Sequence, residues 1–237
     1  MKKGTLYLIP VPLGDSRLSY TLPAEISKIV QSLKFFVVEN EKTARRHLRY
    51  IYQDIDQSSL KMEVLNQHTP DTLLASFIEP CLKGYDLGLL SEAGCPAVAD
   101  PGSQLVRLCH ENDIKIQPLI GPSSILLTLM ASGLGGQNFA FNGYLPHEKS
   151  DRKNMLKTLE RESHQKKQTQ LFMETPYRNE KLFHELLDQL SLDTLLTLGI
   201  EVSLETEEIK TKTVADWISS PAPNLHKRPC IFGILKG

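Results

Sequence analysis

The chain has 237 residues, 41% of them hydrophobic and 23% charged, the proportions of a globular protein with enough apolar material for real cores; disorder is excluded. Lys and Arg number 27 against 28 Asp and Glu, a formal charge of −1, so no strong overall field draws the protein to nucleic acid or to an anionic membrane, and such a partner must be met by a local patch. Cys81, Cys95, Cys109 and Cys230 show no CxxC pairing and no His at zinc-ligand spacing; they read as free thiols in a reducing compartment, with no metal site.

The basic start Met1-Lys2-Lys3 leads into an apolar run, residues 6–11, that ends at Pro12. That run is too short for a secretory h-region or a membrane span, so a cytoplasmic enzyme with no membrane partner is expected. Residues 6–9 predict a strand, 22–33 a helix, 35–38 a strand and 41–50 a helix. A strand at 63–65 precedes a helix with Thr69 as N-cap and Pro70 at its first position, running toward Gly84 and bent or ended early by Pro80. Residues 86–90 are apolar and nearly uninterrupted, as a central parallel strand covered on both faces should be. A helix at 103–112 and a strand at 114–119 complete this half, and the alternation implies βαβ crossovers and a mostly parallel sheet.

Ile120-Gly121-Pro122 reads as a seam, which divides the chain into an N-terminal α/β domain over 1–120 and a C-terminal one over 121–237. Ser123 or Ser124 caps an apolar helix at 125–131 that stops at Gly133. Strands are expected at 139–141, 170–173, 194–200 and 230–235, and helices at 151–162 and 179–190. Residues 202–214 alternate in charge like a hairpin, so the second sheet should be partly antiparallel.

In open parallel sheets ligands sit beyond the carboxyl ends of strands, where loops converge and helix N-termini present free N–H groups. Four loops qualify: residues 10–15, with Pro12, Leu13 and Gly14; residues 39–42; residues 91–102; and residues 121–124. The first also reads as a tight βα turn, and the second as the start of a solvated helix face on which Arg45 and Arg49 stand four apart. The third is the most informative, because Gly94 and Gly102 allow backbone geometries closed to other residues while Pro96 and Pro101 limit the entropy lost on ordering. Asp100 either serves a ligand or starts a turn at Asp-Pro-Gly. In the fourth, capping explains one serine and does not require two. No GxGxxG follows the first strand, and GxxxxGK[ST], GxSxG and HExxH are all absent.

Together these loops resemble the tetrapyrrole methylase family, S-adenosylmethionine-dependent transferases of two α/β domains, and within it the subgroup that 2′-O-methylates 16S ribosomal RNA. The resemblance rests on Gly4-Thr-Leu-Tyr-Leu8, on Val11-Pro-Leu-Gly-Asp15 for a TPIGN-like turn, and on Ser91-Glu-Ala-Gly-Cys95-Pro-Ala-Val-Ala-Asp100-Pro-Gly102 for an SDAGTPxxSDPG signature. Gly121-Pro-Ser-Ser124, Ala131-Ser-Gly-Leu134, Phe141-Asn-Gly-Tyr-Leu-Pro146 and Glu174-Thr-Pro-Tyr-Arg178 extend it over nearly the whole chain. It implies a methyl donor held in the cleft between the two domains, by Pro12, Leu13, Gly14, Ser91, Glu92, Ala93, Gly94, Val98, Asp100, Ser123 and Ser124. It also implies a homodimer; as a departure, the chain is expected to lack the C-terminal extension of longer members. The subgroup's EDTR element is altered here to Glu39-Asn40-Glu41-Lys42, and Cys95 replaces Thr, which leaves the donor site whole and the acceptor site open.

A ribose hydroxyl gains from a base within hydrogen-bond reach. Of the loop acids Glu39, Glu41 and Asp100, Glu39 ranks first by its strand-end position and as the acidic position that the resemblance retains, and Glu41 is kept as a catalytic candidate beside it; Lys42, Arg45 and Arg49 are candidates to meet phosphates of ribosomal RNA or the small ribosomal subunit. Lys166-Lys167 and Lys227-Arg228 are further basic candidates. The competing readings are a methyltransferase of the same fold acting on a tetrapyrrole precursor or other small molecule, and a donor-binding protein without transferase activity.

Overall fold

The computed structural model describes residues 2–15 and 18–237, and the chain divides into two compact units, Met1–Ser123 and Ser124–Gly237. The first unit runs β1 (Thr5–Leu8), α1 (Leu18–Thr21), α2 (Glu25–Ser32), β2 (Phe35–Val38), α3 (Glu41–Ile51), β3 (Lys61–Val64), a 3-10 turn (Asp71–Leu73), α4 (Leu74–Phe77), α5 (Glu79–Leu82), β4 (Leu87–Leu90), α6 (Gly102–Glu111) and β5 (Lys115–Pro118). Its five strands are ordered β3-β2-β4-β1-β5 and every pairing is parallel. The Leu-Gly-Leu-Leu run of β4 is buried along its length in the middle of this sheet, as its unbroken apolar character requires. The connection from β1 to β2 passes β4, whereas that from β4 to β5 passes β1. The crossovers therefore depart in opposite directions from neighbouring strands, which opens a crevice beyond the carboxyl ends of β1 and β4.

Helices α2 and α3 bury Ile26, Val30 and Leu48 against Ile9 and Phe36 on one face of the sheet. On the other face Phe77 and the α6 residues Leu105 and Cys109 pack on Leu6, Val37 and Leu89. The Cys81 and Cys109 sulfurs are free thiols, and burial pushes them up to about 12 and about 11, so both stay protonated at neutral pH.

Two expectations for this half are corrected. The helix expected from Thr69 toward Gly84 is broken into the 3-10 turn and two single-turn helices; the Thr69 hydroxyl accepts from Asn66 N (2.9 Å) and faces Val64 O (3.2 Å), closing the turn after β3 instead of capping a helix. The helix expected over 22–33 starts only at Glu25, with Ile26 N donating to Pro23 O at 3.1 Å.

The second unit runs α7 (Ser124–Ser132), β6 (Phe139–Tyr144), α8 (Lys149–Lys166), β7 (Thr169–Met173), α9 (Asn179–Gln189), β8 (Leu195–Ile200), β9 (Glu208–Thr213), α10 (Val214–Ile218) and β10 (Cys230–Leu235). Its sheet is ordered β6-β7-β10-β8-β9, parallel between β6 and β7 and antiparallel elsewhere, the mixed sheet that the charge alternation after residue 202 predicts. Helices α8, α9 and α10 cover one face around Phe172, Phe183, Trp217 and Phe232, and α7 covers the other through Leu129 against Leu171 and Ile231. The Trp217 ring meets Phe183 edge-on with centroids 5.5 Å apart, and its Nε1 donates to Leu196 O at 2.8 Å, so the buried indole is both packed and satisfied. No helix among the described residues is long and apolar enough to cross a membrane.

Candidate active site

The loops leaving β1 and β4 are tied to each other beyond the sheet. Val11 N donates to Gly94 O at 3.0 Å and Gly94 N to Val11 O at 3.1 Å, a short antiparallel bridge between loops whose parent strands run parallel. Only glycine suits position 94: its φ is +73°, and a Cβ there would stand 3.2 Å from the Leu13 side chain and 3.4 Å from Pro122 O. Gly121 packs equally closely on the first loop, since a Cβ would lie 2.2 Å from that of Pro10. The Cys95 thiol donates to Pro122 O at 3.3 Å. Three of the four loops singled out in the sequence thus converge at the crevice, bringing Pro12, Leu13, Ser91, Glu92, Ala93 and Gly94 to one place. Gly14 stands exposed in its loop, and Ser123 precedes α7, which Ser124 opens in the second unit.

The loop over 91–102 holds its own shape. The Asp100 carboxylate accepts from Ala97 N (3.0 and 2.9 Å) and from Gly102 N (2.7 Å), the turn-forming alternative for this residue. Burial raises its pKa from the ordinary Asp value, against the pull of those two N–H donors. Ala97 and Ala99 sit at φ 66° and 63°, in the left-handed region, and Val98 between them is half exposed. Asp100→Ala removes the shared acceptor of two backbone N–H groups and is expected to cost about 1–3 kcal/mol. Hydrogen exchange should quicken over residues 97–102 while β4 stays protected; unchanged exchange there would show that the carboxylate does not hold the loop.

Glu39 follows β2, the neighbour of β4, and its Oε2 accepts from Glu92 N at 3.2 Å, joining the second loop to the third. Burial raises the Glu39 pKa, the charges of Asp100 and Glu92 add to the rise, and the Glu92 N–H opposes it. A carboxylate moved in this direction grips a proton more firmly than free Glu, as a general base working near neutral pH should. The side chain of Asn40 caps α3 by accepting from Thr43 N at 3.1 Å. Thr43 Oγ1 lies 3.0 Å from Asn40 Oδ1 and 3.2 Å from Glu92 Oε2, and its one proton can serve either. His47 Nε2 lies 3.3 Å from Glu92 O, so that nitrogen carries the proton, and burial lowers the His47 pKa, keeping the ring neutral at pH 7. Thr43 and His47 stand one helical turn apart and are the site residues missed in the sequence; their i, i+4 spacing on α3 is the signal that pairs them.

The charges farther along α3 are arranged differently from the sequence expectation. Glu41 is turned to Arg45, with Oε1 2.9 Å from Nε and 2.7 Å from Nη2, and Arg45 Nη1 also donates to Gln57 O at 2.7 Å. Both side chains are therefore engaged with α3 and the segment after it, while Lys42 and Arg49 are exposed. Among the described residues no group of His, Cys, Asp and Glu could hold a metal ion.

No family model matches the chain. Over 214 residues it is 28% identical to the protein of Vibrio cholerae serotype O1 named ribosomal RNA small subunit methyltransferase I, a match covering 90% of this chain and 70% of that one. It is 31% identical over 212 residues to the protein of the same name from Halalkalibacterium halodurans, covering 88% of this chain and 66% of the other. Among solved structures, the methyltransferase CobJ superposes with a TM-score of 0.65 at 14% identity, over 99% of this chain and 95% of that one. The uroporphyrin-III C-methyl transferase of Thermus thermophilus, complexed with S-adenyl homocysteine, gives 0.55 at 14% identity, over 98% of each chain. The chain thus has the fold of the solved tetrapyrrole methyltransferases, and its sequence relatives are named small-subunit ribosomal RNA methyltransferases.

Proposed function

We propose that this chain transfers a methyl group from S-adenosylmethionine to a ribose 2′-hydroxyl of small-subunit ribosomal RNA. The observation that carries the reading is the convergence of three constrained loops, one of them joined to the partly buried Glu39 carboxylate of raised pKa, in a chain whose relatives are named small-subunit ribosomal RNA methyltransferases. The loops suit a small ligand by their fixed shape: at Gly94 and Gly121 a side chain would collide with the neighbouring loop, so glycine lets the loops pack directly on one another. Residues 12–14, Ser91–Gly94, Val98 and the Asp100-braced turn would hold it, with Ser123 and Ser124 completing the set. When bound, the donor supplies a methyl group activated by its positive sulfur.

The chain's own contribution is placement and proton transfer. Holding hydroxyl and methyl near attack distance in a confined site supplies much of the acceleration such a displacement needs. In this reading Glu39 takes the 2′-hydroxyl proton as the new oxygen–carbon bond forms and the methyl–sulfur bond breaks, the demethylated donor leaving as a neutral thioether. Glu92, fixed by Thr43 and His47, keeps Glu39 in place through its N–H, while Glu41 steadies α3 through Arg45. Lys42 and Arg49 meet acceptor phosphates, Arg45 orienting that helix face beside them. We further propose a homodimer working in the cytoplasm, for which sedimentation at several concentrations is the check.

The test is incubation with labelled methyl donor and small ribosomal subunits lacking their own modification, followed by nucleotide mapping. The expected result is label on one ribose, with affinity falling steeply as salt rises, since counterion release drives phosphate binding. Label on a tetrapyrrole precursor, or donor binding without transfer to any subunit, overturns the acceptor assignment.

A further inference from the structure

We propose that the loops around Tyr177 and Lys227 in the second unit form a stacking platform for a single-stranded stretch of the RNA. The inference rests on the ribosomal RNA reading above and concerns residues given no role there. Tyr177 lies on the loop between β7 and α9 and is 77% exposed, a large aromatic surface left to water. A ring so exposed usually belongs to a mobile loop, yet this loop is clamped. Glu174, which is buried, accepts from Thr175 N at 2.7 Å and from Arg178 Nη2 at 2.6 Å through the same oxygen. Arg178 N donates to Thr175 O at 2.9 Å, its Nε to Thr175 Oγ1 at 3.2 Å, and its Nη1 meets His147 Nδ1.

A second loop is fastened beside the first. The fully buried Asn179 donates through Nδ2 to Arg228 O at 2.6 Å, across 49 residues of chain. Arg228, a basic candidate in the sequence, is not available to a ligand. Its guanidinium is taken up by Glu201 (2.8 Å), Glu208 (2.6 Å), Thr206 O (2.8 Å) and Asn224 O (3.0 Å), with only 15% of the side chain exposed. It acts as the anchor of the turn whose Lys227, at φ 58°, extends Nζ to 5.9 Å from the Tyr177 ring centroid. An exposed ring on a fastened loop, with a lysine at its face, is the arrangement that receives an unpaired base by stacking and its phosphate by charge. Because the loop is already fastened, only the side chain of Tyr177 loses freedom on binding, which favours the contact. Exposed Lys181 adds positive charge, but exposed Glu180 is three residues from Tyr177 and exposed Glu148 adjoins His147, so the platform suits one or two nucleotides, not a long duplex.

The test uses the full chain and a fluorescein-labelled unstructured oligoribonucleotide, with an RNA duplex as control. Tyr177→Ala is expected to weaken single-strand binding by roughly 5- to 100-fold, while Tyr177→Trp retains it. Lys227→Ala should lower the slope of log affinity against log salt by about 0.7, one phosphate's worth for a single strand. Thermal melting of each variant should match the parent, because both side chains lie on the surface. Equal affinity of Tyr177→Ala and parent, or a duplex bound as tightly as the single strand, overturns the platform. If the parent transfers methyl to subunits and Tyr177→Ala does so with unchanged KM, the platform fails and the functional reading stands. If the parent neither binds RNA nor methylates subunits, both fail together.

Discussion

Arg152→Met is expected to destabilise the second unit by about 3–5 kcal/mol, because it removes a buried guanidinium and strands a mostly covered carboxylate and two carbonyls at once. Arg152 rises from the first turn of α8 and is buried; its Nε and Nη2 grip the two oxygens of Glu185 on α9 at 2.5 and 2.8 Å, while Nη1 donates to Pro146 O at 2.9 Å and His147 O at 2.7 Å. One guanidinium thus joins two helices to the chain leaving β6. Methionine fills similar volume with no donor. The double replacement with Glu185→Leu should recover part of the loss, since exchanging a whole buried pair for apolar groups is far milder than halving it. Trp217 is the chain's one tryptophan and sits in the same core, so its fluorescence in a urea titration reports this unit. The bond from Arg152 lowers the pKa of Glu185. A depressed carboxylate stabilises the fold fully above its ordinary pKa and stops doing so as pH falls through the lower, folded value, so the gap between parent and variant should shrink in acid. A midpoint unmoved by Arg152→Met would show that the network contributes nothing net.

Glu39→Gln is expected to lower kcat by roughly 10²- to 10⁴-fold while leaving donor affinity little changed. The amide can still accept the bond from Glu92 N, so the loops stay joined, but it cannot take a proton. In the parent, turnover should fall as pH drops through the raised Glu39 pKa, and that acidic limb should vanish from the variant's residual activity. The stability effect has the opposite sense to that of Glu185. A carboxyl whose folded pKa is raised favours the fold most when protonated, below the unfolded value, and that advantage is lost as pH rises through the folded value. The variant should therefore be at least as stable as the parent at neutral pH. Unaltered turnover would remove Glu39 from the mechanism.

Much of the fold is legible because local chemistry and tertiary environment agree. The unbroken apolar run of β4 can only be a covered strand, and the run over Cys230–Leu235 forms β10 within the bounds expected. The opposite case is the stretch after Thr69, where Pro70 and a threonine look like a helix start but the hydroxyl is claimed by Asn66 and Val64. Helix α10 was not foreseen, although Thr213 and Asp216 carry its signature: the threonine hydroxyl accepts from Asp216 N at 3.1 Å and donates to the carboxylate at 2.7 Å. In the site, the converging loops show in their glycines and prolines. The partners of individual side chains do not, because Glu39 meets Glu92 across 53 residues and Arg152 meets Glu185 across 33. Such pairings follow from strand order, which no periodicity encodes. Glu41 and Arg45 show the converse, an i, i+4 pair close in sequence that satisfies itself before any ligand arrives.

Ala97 and Ala99 adopt a backbone state that opposes their own side chains, at a penalty of about 1–2 kcal/mol each. That strain persists because Asp100 and the packed sheet beneath overrule it. The rim of the crevice is therefore poised to slacken ahead of the body that supports it. Damage to the first unit's interior would blunt the grip on a small ligand before the sheet itself began to melt, and a loss of ligand affinity would give the earliest warning of a failing fold.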